Sequence, residues 1–207
     1  MNVPVRFFPI LLGAACLAGC VSFERAPAPL ACDARLEGRW VPIANTAEES
    51  ASLTKDDYAQ VDPQCRVTLS FSQTNSRPLR TVQVDARGFS LDGQHYLAIG
   101  DADITRLLAQ SMPQDRDPKD RTPTQAVTLV RYRIEGDVFS FTMIDYDTAE
   151  KLINEGVLAA NTADPLNYQF KGDDAYLLGI LRKHPELFKQ DPKMPMSMRR
   201  APEEASP

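Results

Sequence analysis

The chain has two histidines, His95 and His184, the residue type best suited to moving protons near neutral pH. His95 falls in or beside an alternating stretch and His184 stands before Pro185 at a helix end. Neither has a second ligand at metal spacing, so both read as surface or hydrogen-bonded residues. Serine hydrolysis would need a GxSxG elbow or a comparable arrangement with a base, and the sequence has none. Asp101 with Asp103, and Asp145 with Asp147, are carboxylate pairs of the kind that act as acid and base across a glycosidic bond. Helix capping accounts for Asp103 and Asp147 more simply. The run Asp115-Arg116-Asp117-Pro118-Lys119-Asp120 has the density of a calcium loop, but Lys119 takes a ligand position, the turn glycine is missing, and Ala126 stands where the bidentate glutamate belongs. It reads as a solvated loop. Met194, Met196 and Met198 alternate as soft thioether ligands for Cu(I) would, without any charge to hold a metal. Gly172-Asp173-Asp174 reads as a helix cap rather than a phosphate loop. These residues assign no catalytic set, no metal and no cofactor, and the expectation is a protein that is not an enzyme.

The thiols say more. Met1 to Arg6 is a positive end, Phe7 to Leu17 an apolar core, and Ala18-Gly19 are the small residues that fit a signal peptidase cleft. The run contains Pro9 and is shorter than the roughly 20 apolar residues a membrane span requires. An ordinary secretory signal has this form. With Cys20 directly behind it, Leu17-Ala18-Gly19-Cys20 resembles a bacterial lipobox. The resemblance implies cleavage after residue 19 and a diacylglycerol on the Cys20 thiol, which becomes the acylated first residue of the mature protein. At about 0.8 kcal/mol per buried methylene, two or three long acyl chains anchor a protein stably. Val21 is not the aspartate that retains many such lipoproteins at the inner membrane, so the resemblance implies outer-membrane sorting in a Gram-negative host. Residues 20–31, with Pro27 and Pro29, are expected to form an extended tether of at most about 3.1 Å per residue.

Cys16 leaves with the signal, and Cys32 and Cys65 remain as a pair in an oxidising compartment, where a disulfide is the default. Closing that loop is worth about 3 to 4 kcal/mol in the chain-entropy model. It would pin the start of the domain to its second strand. A zinc or redox pair is the alternative, but there is no CxxC and no nearby histidine.

With 23 basic against 28 acidic residues and no basic cluster interleaved with aromatics, nucleic acid is excluded as an expected partner. Residues 32–188 are expected to form a single domain, and 189–207, with no periodicity, a disordered tail. Alternation of apolar and polar residues predicts strands over 35–43, 66–71, 79–85, 89–91, 95–99, 127–134, 138–144 and 167–171. Asp92-Gly93 is a strong hairpin signal joining two of them. In the hairpin around Glu135-Gly136-Asp137, Val130, Tyr132 and Ile134 are expected to cover a core with Phe139, Phe141 and Met143. Helical spacing appears over 103–112 (Ile104, Leu107, Leu108 inward), over 148–158 (Leu152, Ile153, Val157 inward), and through Leu181 behind an Asp173 or Asp174 cap. Thr54-Lys55-Asp56-Asp57 is placed to open a short helix, and 113–123 is expected to be a surface loop.

The sum is a mainly β, α+β fold of about eight antiparallel strands and about three helices, a meander closing into a small barrel or strongly curved sheet. Gly38-Arg39-Trp40 resembles the lipocalin GxW signature, in which the tryptophan plugs a barrel floor, and Asp145-Tyr146 resembles that family's second motif. Ile144 stands where that motif has threonine, and the helices around the last strand depart from the lipocalin order. Trp40 as an ordinary core aromatic is the competing reading. The expectation for function is a membrane-anchored envelope lipoprotein that binds an apolar small ligand or an envelope protein. A scaffold of envelope assembly, using the helices and the 113–123 loop as its contact surface, and an enzyme of unrecognised type are the alternatives.

Overall fold

The alternating segments pair into one sheet of twelve strands in a computed structural model that describes residues 20–71, 80–111, 124–164, 167–189 and 196–202. The strands are β1 (Cys20–Phe23), β2 (Gly38–Pro42), β3 (Tyr58–Val61), β4 (Arg66–Phe71), β5 (Arg80–Asp85), β6 (Gly88–Leu91), β7 (Gln94–Gly100), β8 (Val127–Glu135), β9 (Val138–Met143), β10 (Asn161–Asp164), β11 (Asn167–Phe170) and β12 (Met196–Arg200). Among the described residues four α-helices accompany them: α1 (Ala47–Ser52), α2 (Asp101–Ser111), α3 (Tyr146–Asn154) and α4 (Asp174–Lys183). The signal segment, the 113–123 loop with its aspartates, and Met194 lie outside the described residues.

Along the sheet the order is β10-β11-β1-β8-β9-β12-β2-β3-β4-β5, with the β6–β7 hairpin joined to β8. Among the described residues only β1 and β11 pair in parallel. The sheet curves strongly. Val82 and Val84 of β5 share one buried cluster with Tyr132 of β8, although six strand spacings of about 4.8 Å would hold them roughly 29 Å apart in a flat sheet. It does not close into a barrel among the described residues: the path ends at β5 and β10, and α2 packs against β5, β7 and β8. A helix joins those strands by side-chain contact where a barrel would have a ladder.

Two cores result, and β7 separates them. Leu97 and Ile99 join Trp40, Val61, Val67 and Tyr132 on the side the sheet curves around, with Phe139, Phe141 and Met198 at its margin. Tyr96 and Ala98 point the other way, toward Phe23, Leu129, Phe170 and the helix residues Ala149, Leu177 and Ile180. Trp40 is a buried core residue; its indole Nε1 donates to the Leu36 carbonyl at 2.7 Å and its ring lies 5.7 Å from Phe139. The Arg200 guanidinium sits 4.2 Å over the same ring and donates to the carbonyls of Glu37 and Arg35. Gly38 is required beside it, because its φ is +115° and a Cβ there would stand 2.8 Å from Arg200 Nη1.

Several elements differ from the sequence expectation. The supposed tether is folded: β1 opens it, Phe23 is 0% exposed, Pro27 is buried, and Ala26, Ala28 and Leu30 lie against the helix-side core. The supposed disordered tail contains β12, which is hydrogen-bonded to β9 on one side and β2 on the other. There Met196 and Met198 alternate with Ser197 and Arg199, a strand pattern too short to outweigh the polar composition around it. The strand expected over 35–43 is β2, which starts at Gly38, and Leu36 belongs to a 3-10 turn over Ala34–Leu36. Helix α1 precedes Thr54: Thr46 caps it by accepting from Glu49 N–H, while Glu49 reaches back to Asn45 N–H. Val157 is 51% exposed because α3 ends at Asn154, and Ala149 is the α3 residue fully buried. Asp145, not Asp147, caps α3, accepting from Thr148 N–H at 2.8 Å.

Candidate functional site

From Cys20 to the disulfide the chain is strapped to the domain. Cys20 lies opposite Asn167 and Phe23 opposite Phe170, whose rings meet edge-on at 5.3 Å. Glu24 N–H donates to the Phe170 carbonyl at 2.9 Å. The Glu24 carboxylate accepts from Gly172 N–H at 3.0 Å and from Arg25, contacts that hold its pKa below the usual value. Arg25 also pairs with Asp174 at 2.9 Å, at the start of α4. Ala31 bridges Gly88, and Cys32 is bonded to Cys65 with Cα atoms 5.5 Å apart. Cys65 lies in the turn before β4, so the bond ties the first core-crossing segment to the β3–β4 hairpin.

Next to the disulfide is a polar network. Asp33 accepts from the Tyr132 hydroxyl at 2.7 Å and from the Arg35 guanidinium at 2.6 Å. Those donors, Arg35 first, pull its pKa down to about 2, while burial and the Asp33 charge push the Tyr132 phenol up. Arg35 Nη2 also lies 3.2 Å from His95 Nε2, and His95 Nδ1 lies 2.8 Å from Ser90 Oγ. A serine against a histidine suggests a nucleophile and its base, but the protons are the wrong way round. Arginine is only a donor, so Nε2 must accept and Nδ1 must carry the hydrogen that it gives to Ser90 Oγ. His95 in this tautomer cannot take a proton from Ser90. The pair was implicit in the sequence: the Asp92-Gly93 turn, with φ of 50° and 79°, sets Ser90 directly opposite His95.

The remaining candidates are engaged locally. His184 ends α4 with Nδ1 3.0 Å from Glu186 Oε1. Asp101 accepts from Thr124 N–H and Oγ1 at 3.1 and 3.0 Å, fastening the approach to β8. Asp173 caps α4 by accepting from Tyr176 N–H. Asp103 is not a cap; it is 7% exposed in the first turn of α2, accepts from Asp85 N–H at 3.0 Å and pairs with Arg106. Among the described residues no group of three or more His, Cys, Asp or Glu is placed to hold a metal ion, and no helix is long and apolar enough to cross a membrane.

Sequence reasoning missed a cleft of about 380 Å³ formed where β4, β5 and α2 meet. Gln64, Arg66, Gln83, Asp85, Arg87, Asp103 and Arg106 supply its polar lining, with Val84 beside them. Arg87 chelates Asp85 through Nε and Nη2, at 2.8 and 2.6 Å to Oδ2. Arg106 Nη1 donates to the Gln83 carbonyl at 3.1 Å. No signal in the sequence marks this arrangement, since its residues come from separate segments with no shared motif. No family model, curated protein or solved structure matches the chain.

Proposed function

We propose that this chain is a bacterial envelope lipoprotein, acylated at Cys20 and held at the outer membrane, whose folded domain binds an envelope protein without catalysis. The observation that carries the reading is the joining of two features at one residue: the lipobox-like Leu17-Ala18-Gly19-Cys20 ends where strand β1 begins. An acyl group on that residue would sit directly on a strand of the sheet. A domain mounted in this way has a restricted orientation, which favours presenting one surface to a partner beside the bilayer. A protein partner is preferred over an apolar small ligand because Trp40, Leu97, Ile99 and Tyr132 fill the side a carrier would hollow out. The contacts of His95 leave Ser90 without a base, so this pair lends no support to a catalytic role.

The test is metabolic labelling with a palmitate analogue. Wild-type chain should be labelled and a Cys20→Ser variant should not; an unmarked wild type, or equal marking of both, refutes the anchor. In-cell crosslinking followed by purification should then recover an envelope protein at stoichiometric yield. Recovery of the chain alone refutes the partner.

A further inference from the structure

We infer that the cleft between β4, β5 and the start of α2 is a binding site for an oxyanion, a carboxylate or phosphate group that presents two oxygens to Arg66 and Arg87. The charge balance points there first. Three guanidinium groups line the cleft against two carboxylates, and both carboxylates are already committed. Asp103 is spent on Asp85 N–H and Arg106, and Asp85 on the N–H, Nε and Nη2 of Arg87. Arg66 is left over. It stands opposite Asp85 in the β4–β5 ladder, and among the described residues its ion pair runs from Nε to Asp62 at 3.9 Å. Among the described residues nothing accepts from its Nη groups, and its side chain is 69% exposed.

The site is also organised in advance. Asp103, nearly buried, fixes Arg106, and Asp85 clamps Arg87, so two of the three cations are held before a ligand arrives. A planar fork whose Nη groups meet no acceptor among the described residues, beside a second fork whose Nη1 meets none there either, is the arrangement that receives a two-oxygen anion through paired charge-assisted hydrogen bonds. The Gln64 and Gln83 amides add neutral donors at the edge. The cleft volume falls within the range of small-ligand sites, about 300–1,000 Å³. None of this depends on acylation of Cys20, so the inference and the proposed anchor fail separately.

The experiment follows the arginine Nε–H signals of the full chain in detergent by NMR, while inorganic phosphate, acetate or phosphatidylglycerol in mixed micelles is added at constant ionic strength. The expected result is saturable movement of the Arg66 and Arg87 signals with at least one probe, while that of Arg182, paired with Asp92 away from the cleft, drifts linearly. Saturation with soluble phosphate or acetate identifies a free ligand; saturation only with phosphatidylglycerol identifies a lipid headgroup. Arg66→Gln should weaken the affinity about tenfold, and Arg66→Lys, which keeps the charge and loses the fork, should weaken it less. Linear drift of all arginine signals with every probe overturns the inference. So does Arg66→Gln saturating like the wild type.

Discussion

Substitution of Phe23 by alanine tests whether the segment behind Cys20 is part of the domain or a spacer. The ring is 0% exposed, lies edge-on to Phe170 at 5.3 Å and belongs to the core that includes Leu129, Leu177 and Ile180. Removing such a side chain costs about 3–5 kcal/mol, of which the aromatic contact contributes about 0.5–1.5. That is a large share of the roughly 5–15 kcal/mol that holds a domain together. With a urea slope of about 2 kcal/mol/M, a loss of about 4 kcal/mol lowers the unfolding midpoint by about 2 M. Arg25→Ala is the control, because it removes only the pairs that a solvent-facing guanidinium makes with Glu24 and Asp174, which contribute little. The assay is urea denaturation followed by far-UV circular dichroism on both variants. If Phe23→Ala unfolds with the same midpoint as Arg25→Ala, β1 is not part of the core. An anchor at Cys20 would then end on a free spacer, and the restricted orientation argued for the domain would be lost.

Breaking the Cys32–Cys65 bond by the double change to serine frees a loop of sequence separation 33, which the chain-entropy model values at about 4 kcal/mol. Calorimetry should show a melting temperature lower by about 10 °C, and an unchanged melt would contradict a closed disulfide. Arg200→Ala removes the cation over Trp40 and two donors to backbone carbonyls, so stability should fall by about 1–2 kcal/mol. Trp40 is the chain's single tryptophan, and its emission should move to longer wavelength as water reaches the ring; unaltered emission and stability would remove β12 from its place in the sheet. For Asp33 the folded pKa of about 2 lies below the ordinary 3.8, so its contribution is complete above about pH 4 and is lost as the pH falls toward about 2. Because the Arg35 partner is half-exposed, the contribution is about 1–2 kcal/mol rather than the full shift. Stability measured against pH should show this slope in the wild type and lose it in Asp33→Asn; an identical slope in both would show that another group carries it.

The features legible along the chain are local. The Asp92-Gly93 turn sets the β6–β7 register and brings Ser90 to His95, the pattern around Gly136 pairs Ile134 with Phe139, and Asp173 caps α4 where the residues permit it. The pairing of Cys32 with Cys65 was legible because, on the expectation that Cys16 belongs to a signal and Cys20 to a lipid anchor, no other partner is left. Each of these depends on residues a few positions apart or on simple counting. Tertiary structure decided the rest. Strands β1 and β12 have four and five residues, too short to be stable alone, and exist because distant partners satisfy their backbones: Asn167 to Phe170 for β1, and β9 and β2 for β12. The same dependence turned a proline-bearing tether and a polar tail into parts of the sheet. The arginine cleft has this origin too, since Arg66, Arg87 and Arg106 share a surface only after β4, β5 and α2 meet. Hydrogen-bond ladders and charge clusters are properties of neighbours in space, and for these segments the neighbours lie far away along the chain.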